Sequence, residues 1–230
     1  MAGDDRDTLM SLYPFLHGRK QEPSAMNAAL IEAVADKVGH HRDVIGTFFA
    51  NNGQAVIDAA GAIAGMYQRG GRLFAMGNGG SSCDAAHVAV EFLHPVTAGR
   101  PALTAIDLSA DRTMLTAVAN DVGFDHVFVR QIIAQGRSGD GLIGLSTSGN
   151  SKNLVKAFVK AKEMGLTTIG LAGMTGGAMA TLGLDHCLIV ADDSIHRIQE
   201  CHVTIYHILW DLVHSLLADD RGASRVAAPE

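Results

Sequence analysis

Five short apolar runs occupy the chain from residue 72 onward, and each is followed by a turn or a helix-length segment. The runs are "RLFAMG", "ALTAIDL", "GLIGLS", "TTIGLAG" and "HCLIV". They are apolar throughout rather than alternating, which is typical of parallel strands covered on both faces. Strands that alternate with helices in this way form a doubly wound α/β sheet. The pattern predicts that fold class for this part of the chain.

The segments around these runs predict helices and two disordered ends. Residues 24–69 carry apolar side chains at three- and four-residue steps, which predicts two helices broken near Asn51-Asn52-Gly53. Residues 1–23 and 219–230 lack such a period and predict a flexible leader and a flexible tail. We expect a single domain over residues 24–218.

A long helix is predicted to close the domain, from about Ile195 to Ala218. Two of its faces differ in chemistry. The apolar stripe holds Ile198, Ile205, Leu209, Leu212 and Leu216, and a second face holds His196, Gln199, Val203, His207, Trp210 and His214. A helix with a core stripe and a second face rich in histidine is expected to have a second packing partner.

The composition of the chain indicates which kinds of binding partner and which cellular compartment to expect. The 230 residues are 47% hydrophobic, with a net charge of -6, so nucleic acid and anionic membranes are poor partners. The three cysteines are widely spaced and form no CxxC motif, which favours a reducing compartment. There is no secretory signal and no apolar run long enough to span a membrane. These features predict a cytoplasmic protein.

Two loops rich in glycine and hydroxyl side chains follow the first and third runs, at residues 77–82 and 146–151. In open α/β sheets, ligands bind at the carboxyl ends of the strands, where helix N-termini attract anions. The loops match neither the dinucleotide fingerprint nor the Walker loop, so we expect no nucleotide cofactor. They are also normal helix caps and turns, but two of them on one sheet favour a phosphate site.

Ionisable side chains follow the first loop and recur in the closing helix. His87 and Glu91 are four residues apart, so they share a helix face near the ligand edge. Such a pair can bind a metal or act in acid–base catalysis, although a lone pair of this kind is more often a surface feature. Gln199 and His207 lie two turns apart on the second face of the closing helix. Spacing alone does not bring the two sets together.

The motifs "GNGGSSCDAAH…E", "AVAND-GFD-VF", "LSTSGNS" and "RIQE-H…H", in this order, resemble the phosphoheptose isomerase branch of the SIS (sugar isomerase) domain family. The resemblance covers about residues 40–217. It implies a three-layer αβα sandwich with a five-stranded parallel sheet, flavodoxin- or Rossmann-like, and homotetramers with active sites at subunit boundaries. The implied activity interconverts sedoheptulose 7-phosphate and D-glycero-D-manno-heptose 7-phosphate through an enediolate.

The resemblance also implies roles for individual residues. The acid–base pair would be Glu91 and His207. A zinc site, present in some members, would use His87, Glu91, Gln199 and His207. The substrate would contact Asn78, Gly79, Gly80, Ser81, Asn120, Asp121, Ser146, Thr147, Ser148, Ser151 and Gln199, of which the 146–151 hydroxyls would hold the phosphate.

One local departure from the family leaves alternatives open. After Glu91 the family continues Leu-Thr-Gly-Arg, whereas this chain has Phe92-Leu93-His94-Pro95. The change concerns the specificity for the sugar, so an isomerase of another phosphosugar is one alternative. A non-catalytic phosphosugar-binding or adaptor protein is another, although the presence of both Glu91 and His207 argues against it.

Overall fold

The computed structural model describes residues 23–220. Almost all of the predicted leader and most of the predicted tail, residues 1–22 and 221–230, lie outside the described residues. The chain divides into two units, 1–40 and 41–230. In the first unit, the described part is one helical segment with exposed Leu30, Val34 and Val38. The second unit holds the sheet, and the predicted domain limits stay a prediction.

Helices and strands alternate along the second unit. In chain order the elements are α1 Pro23–Gln68, β1 Leu73–Gly77, α2 Gly80–Leu93, β2 Ala105–Asp107, α3 Arg112–Asp121, a 3-10 turn Phe124–His126, α4 Val127–Gln135, β3 Gly141–Ser146, α5 Lys152–Glu163, β4 Thr167–Gly173, α6 Gly177–Thr181, β5 His186–Val190 and α7 Ile195–Asp220. Each predicted apolar run contains one strand. Among residues 23–220, no helix has the length and apolar character needed to cross a bilayer.

The five strands form one parallel sheet in the order β2-β1-β3-β4-β5. The central strands β1 and β3 are buried at every position. The predicted five-stranded parallel sheet is therefore confirmed. Gly77 at the end of β1 pairs with Leu145 near the end of β3, so the loops that follow these two strands leave the same edge of the sheet.

Both faces of the sheet are covered, and successive strand residues point to opposite sides. Leu73 and Ala75 pack with the second unit's part of α1, with α2 and with α7. Phe74 and Met76 pack with α3, α4, α5 and α6 on the other side. This alternation follows the two-residue period of a strand. The result is the predicted three-layer αβα sandwich.

The prediction of two N-terminal helices broken near Asn51-Asn52-Gly53 is wrong, because α1 runs without interruption from Pro23 to Gln68. The Asn52 side chain donates a hydrogen bond to the Phe48 carbonyl oxygen at 2.9 Å, one turn earlier. Phe48 and Val56, on either side of the predicted break, are buried in the core. Packing of these two side chains outweighs the weak helix propensity of the Asn-Asn-Gly segment.

The closing helix α7 begins where predicted and ends two residues later than expected. Ile198, Ile205 and Leu209 of the predicted stripe are buried, but Leu216 is exposed, and Val213 and Leu217 face the core instead. The buried face therefore shifts around the helix toward its C-terminal end. The second packing partner that its polar face predicts is α2 of the same chain.

Candidate active site

The two glycine- and hydroxyl-rich loops are joined by a pair of amide side chains. Asn78 in the first loop and Asn153 in the first turn of α5 exchange two hydrogen bonds, each 2.9 Å long. Asn153 is buried, and the sequence analysis missed it. The signal that could have found it is an amide just after the second loop. This pair fixes the two loops against one another at the ligand edge of the sheet.

Two glycines of the first loop lie where a side chain would collide with neighbouring protein atoms. A Cβ at Gly77 would lie 2.0 Å from the Ser81 carbonyl oxygen, and one at Gly80 would lie 2.2 Å from Gln199 Nε2. Gly79 adopts a φ of 56°, in the left-handed region that favours glycine. At Gly77 and Gly80, the absence of a side chain therefore lets neighbouring protein atoms approach the backbone closely.

The second loop gathers hydroxyl groups at the N-terminus of α5. Ser146 is buried, and its Oγ lies 3.0 Å from Ser151 Oγ. Ser151 is the N-cap residue of α5 but makes no side-chain cap bond, and Thr147 and Ser148 are half-buried. Neutral hydroxyl donors beside a helix N-terminus form a site that suits an anion.

The loop is held in place from the other side by the start of α6. The Asn150 side chain accepts a hydrogen bond from the Ala178 backbone N–H at 2.9 Å. The Gly149 carbonyl oxygen accepts another from the Met179 backbone N–H at 3.0 Å. The hydroxyl groups are thus presented on a braced loop.

Three ionisable side chains meet where α2 crosses α7. The potential ligand atoms of His87, Glu91 and His207 all lie within 4.8 Å of one another. His87 Nε2 is 3.2 Å from Glu91 Oε1, and the rings of His87 and His207 are 4.9 Å apart in an edge-on arrangement. The structure therefore brings together the two sets that spacing alone could not connect.

Two aromatic side chains of α7 contact the α2 residues directly. The Tyr206 hydroxyl lies 2.8 Å from His87 Nδ1, and the Trp210 indole donates a hydrogen bond of 2.8 Å to the Glu91 carbonyl oxygen. The helical periodicity of the sequence predicts Trp210 on this face but does not single out Tyr206. Tyr206 directly precedes His207, and that adjacency is the signal that could have found it.

Gln199 lies at the other end of the cluster, against the first turn of α2. Its amide nitrogen donates to the Asp84 carboxylate at 3.3 Å, and it presses on Gly80. Asp84 is buried, and the sequence analysis missed it. Burial raises the pKa of this carboxyl, and the Gln199 hydrogen bond and the nearby His87 lower it in part.

The electrostatic surroundings favour a neutral His207. Burial lowers the pKa of this imidazole, His87 lowers it further, and Glu91 partly opposes the change. A histidine with a pKa below its usual value of about 6.5 is mostly unprotonated at neutral pH. His207 can therefore accept a proton or offer a lone pair to a metal ion.

The donor set fits a zinc ion. Zinc prefers imidazole nitrogen and carboxylate oxygen, and His87, Glu91 and His207 supply two of the first and one of the second within a short span. The Tyr206 hydroxyl contacts the ring nitrogen of His87 that faces away from Glu91, as a partner of a metal-binding histidine usually does. Gln199 is close to α2, but its observed contacts are with Asp84 and Gly80.

Asn120 and Asp121 end α3, and their side chains are exposed. The Asn120 amide donates a hydrogen bond to the Asp121 side chain at 2.8 Å. Neither these two side chains nor the hydroxyl groups of the 146–151 loop make an observed hydrogen bond to the described residues of the α2–α7 cluster.

The comparisons with known proteins agree with this architecture. Residues 38–173 match the model of the SIS domain. The chain is 42% identical over 192 residues to the phosphoheptose isomerase of Chlorobium phaeobacteroides, which covers 83% of this chain and 85% of that protein. It is 45% identical over 152 residues to that of Aneurinibacillus thermoaerophilus, covering 66% and 76%.

Solved structures give the same result. The phosphoheptose isomerase GmhA from Neisseria gonorrhoeae aligns with a TM-score of 0.76 at 36% identity, over 81% of this chain and 99% of that one. A phosphoheptose isomerase from Francisella tularensis aligns at 0.71 and 31%, over 85% and 100%. Fold and site thus define a sugar-phosphate isomerase of the SIS class. The chain belongs to the phosphoheptose isomerases of the SIS domain family.

Proposed function

We propose that this protein is an aldose–ketose isomerase that interconverts sedoheptulose 7-phosphate and D-glycero-D-manno-heptose 7-phosphate. The observation that carries the proposal is the approach of Glu91 and His207 to within 4.8 Å beside the ligand edge of the sheet. The relatives named phosphoheptose isomerase support the choice of substrate.

The phosphate is proposed to bind at the 146–151 loop. The proposed contacts are Ser146, Thr147, Ser148 and Ser151. Support comes from the hydroxyl cluster and the N-terminus of α5, which together attract a dianion. A chain with a net charge of -6 needs such a local donor set to bind an anion.

The sugar is proposed to extend from the phosphate toward the α2–α7 cluster. Its proposed contacts are Asn78, Gly79, Gly80, Ser81, Gln199, Asn120 and Asp121. The amide pair of Asn78 and the position of Gln199 against Gly80 support the first five, because these atoms border both the loop and the cluster. Asn120 and Asp121 are exposed and free to face a sugar or a neighbouring subunit.

The proton transfers are assigned to Glu91 and His207. Moving the carbonyl group between C1 and C2 requires a base that removes the proton on the carbon next to the carbonyl and returns it to the other carbon. We assign that step to the Glu91 carboxylate. The oxygens on C1 and C2 must exchange a proton at the same time, and His207, with its lowered pKa, is suited to carry it.

We propose that zinc is held by His87, Glu91 and His207, with Gln199 as a fourth ligand. When bound, zinc would supply positive charge that stabilises the enediolate. The chain itself supplies the orientation, since Tyr206 contacts His87 and Trp210 contacts the Glu91 backbone.

We further propose a cytoplasmic homotetramer with active sites at subunit boundaries. The free cysteines of the described chain are compatible with a reducing compartment. Val90 and Leu93 on the outer side of α2 are about half exposed, and Val96 is more so. Exposed apolar side chains beside Glu91 are suited to contact another subunit. Light scattering on the purified protein measures the assembly directly.

The test of the main proposal is Glu91→Gln, which keeps the shape of the side chain but removes the base. We expect isomerisation of sedoheptulose 7-phosphate, followed by NMR, to fall by about 10²–10⁴-fold. Glu163→Gln, an exposed glutamate of α5, is the matched control and should keep wild-type activity. An unimpaired Glu91→Gln enzyme would contradict the assigned role.

A second candidate, the same chemistry on another phosphosugar, is favoured by the segment after Glu91. Arg100 in that segment stacks on Trp210 at 4.3 Å and pairs with Asp211, so the 94–104 loop lies close to the cluster. A panel of sedoheptulose, ribulose and fructose phosphates separates the two. Turnover of another sugar without turnover of the heptulose would replace the main proposal by this one.

A further inference from the structure

Tyr206 takes no part in the proposed proton transfers, yet it makes the closest polar contact to His87. The tyrosine is only 2% exposed, and its hydroxyl oxygen lies 2.8 Å from His87 Nδ1. The two rings meet edge-on with their centroids 5.3 Å apart. The hydroxyl is therefore held in one place against one nitrogen of the imidazole.

The two ring nitrogens of His87 face groups of different hydrogen-bonding ability. Nε2 lies 3.2 Å from the Glu91 carboxylate, which only accepts hydrogen bonds, and Nδ1 faces the Tyr206 hydroxyl, which can donate or accept. A neutral imidazole carries one proton. With no cation present, that proton belongs on Nε2, and Tyr206 then donates to Nδ1.

A cation held by Nε2 requires the opposite arrangement. Its bond uses the lone pair of Nε2, so the single proton of the neutral ring must sit on Nδ1. Nδ1–H then needs a hydrogen-bond acceptor, and the Tyr206 hydroxyl oxygen lies within hydrogen-bond distance. The proton count of the imidazole does not change; the proton leaves Nε2 to solvent and another joins Nδ1.

We propose that Tyr206 is a positioning residue of the metal site, whose hydroxyl keeps its hydrogen bond to His87 Nδ1 in both states and reverses its direction when a cation binds at Nε2. The inference rests on the zinc site of the proposed function. A phenylalanine at this position removes the hydrogen bond in both states, but the loss is larger with a cation bound, because the cation polarises the ring and makes Nδ1–H a stronger, charge-assisted donor. The substitution therefore opposes binding.

The first test compares zinc affinity, with no substrate present, in wild-type protein, Tyr206→Phe and Tyr67→Phe. Tyr67 is the matched control, because its hydroxyl also makes one hydrogen bond, to the Thr104 carbonyl oxygen at 3.1 Å, away from His87. Competition with a chelating dye should show about 10–100-fold weaker binding for Tyr206→Phe and no change for Tyr67→Phe. Equal affinity in all three, or no zinc binding by the wild type, overturns the inference.

The second test uses only the wild-type chain, so it does not depend on the folding of a variant. Nitrogen-15 NMR of labelled histidines should find the His87 proton on Nε2 without zinc and on Nδ1 with zinc. The same nitrogen protonated in both samples would refute the reversal. Isomerase activity of the wild-type protein is measured separately. If the protein is active but both tests fail, the inference about Tyr206 is overturned and the proposed function stands. If both tests succeed but the protein is inactive, the proposed function is overturned.

Discussion

His202 makes the stability of this protein depend on pH in a way that one substitution can remove. The imidazole lies on the core side of α7 and has no exposed surface. Its Nε2 lies 3.1 Å from the Ala172 carbonyl oxygen, and its Nδ1 has no partner among the described residues. Burial lowers the pKa of His202 from 6.5 to about 4, and the hydrogen bond to Ala172 opposes this only in part.

The direction and the magnitude of this pH dependence follow from the number of protons that the folded and the unfolded chain bind. Below pH 6.5 the unfolded chain takes up a proton on His202, whereas the folded chain does so only near pH 4. The unfolded state therefore binds more protons, and the free energy of unfolding falls as the pH falls. Between pH 7.5 and pH 5 this one group lowers it by about 2 kcal/mol, at about 1.4 kcal/mol for each unit below 6.5.

Urea unfolding at pH 7.5 and pH 5.0, with zinc removed and protein concentration fixed, measures the effect. His202→Gln retains a donor for the Ala172 carbonyl oxygen but does not titrate, and His202→Leu has neither property. Both variants should lose about 2 kcal/mol less than the wild type between the two pH values, whatever their stability at pH 7.5. If their pH dependence equals that of the wild type, His202 is not protonated differently in the two states and the reasoning fails.

Three shorter predictions concern the site. Asn153→Ala removes both amide bonds to Asn78, so we expect about 1–3 kcal/mol lower stability in urea and a higher KM. Gly80→Ala places a Cβ against the mobile end of Gln199, so thermal unfolding should change little while zinc affinity falls in a dye competition. The lowered pKa of His207 predicts that kcat/KM falls on the acid side with an apparent pKa below 6.5; a value above 6.5 would argue against His207.

Strand positions could be predicted from the sequence because the runs that form them are buried on both faces. Runs such as 73–77 and 141–146 are apolar at nearly every position, which is the pattern of a strand covered on both faces. The break predicted at Asn51-Asn52-Gly53 is wrong, because the helix there depends on tertiary contacts and not on a local pattern. Its local propensity is weak for a helix, but Phe48 and Val56 hold the segment in the core, and no local rule contains that contact.

The site could be predicted in its types of residue but not in its supporting contacts. His87 and Glu91 share a helix face by spacing, whereas the approach of His207 depends on how α7 crosses α2. Asp84 and Asn153 were missed because a lone carboxyl or amide in a first helical turn is indistinguishable from an ordinary polar residue. Only their burial and their partners in distant segments set them apart.

The unusual residues after Glu91 need not disturb the chemistry, because the end of α2 is anchored from α7. The Trp210 indole donates to the Glu91 carbonyl oxygen, and Phe92 is buried beside it in the core. Arg100 stacks on the Trp210 ring at 4.3 Å, so this part of the 94–104 loop packs on the anchor. In the proposed mechanism, proton transfer depends on the anchored end of α2, so the loop can vary while the position of Glu91 is kept.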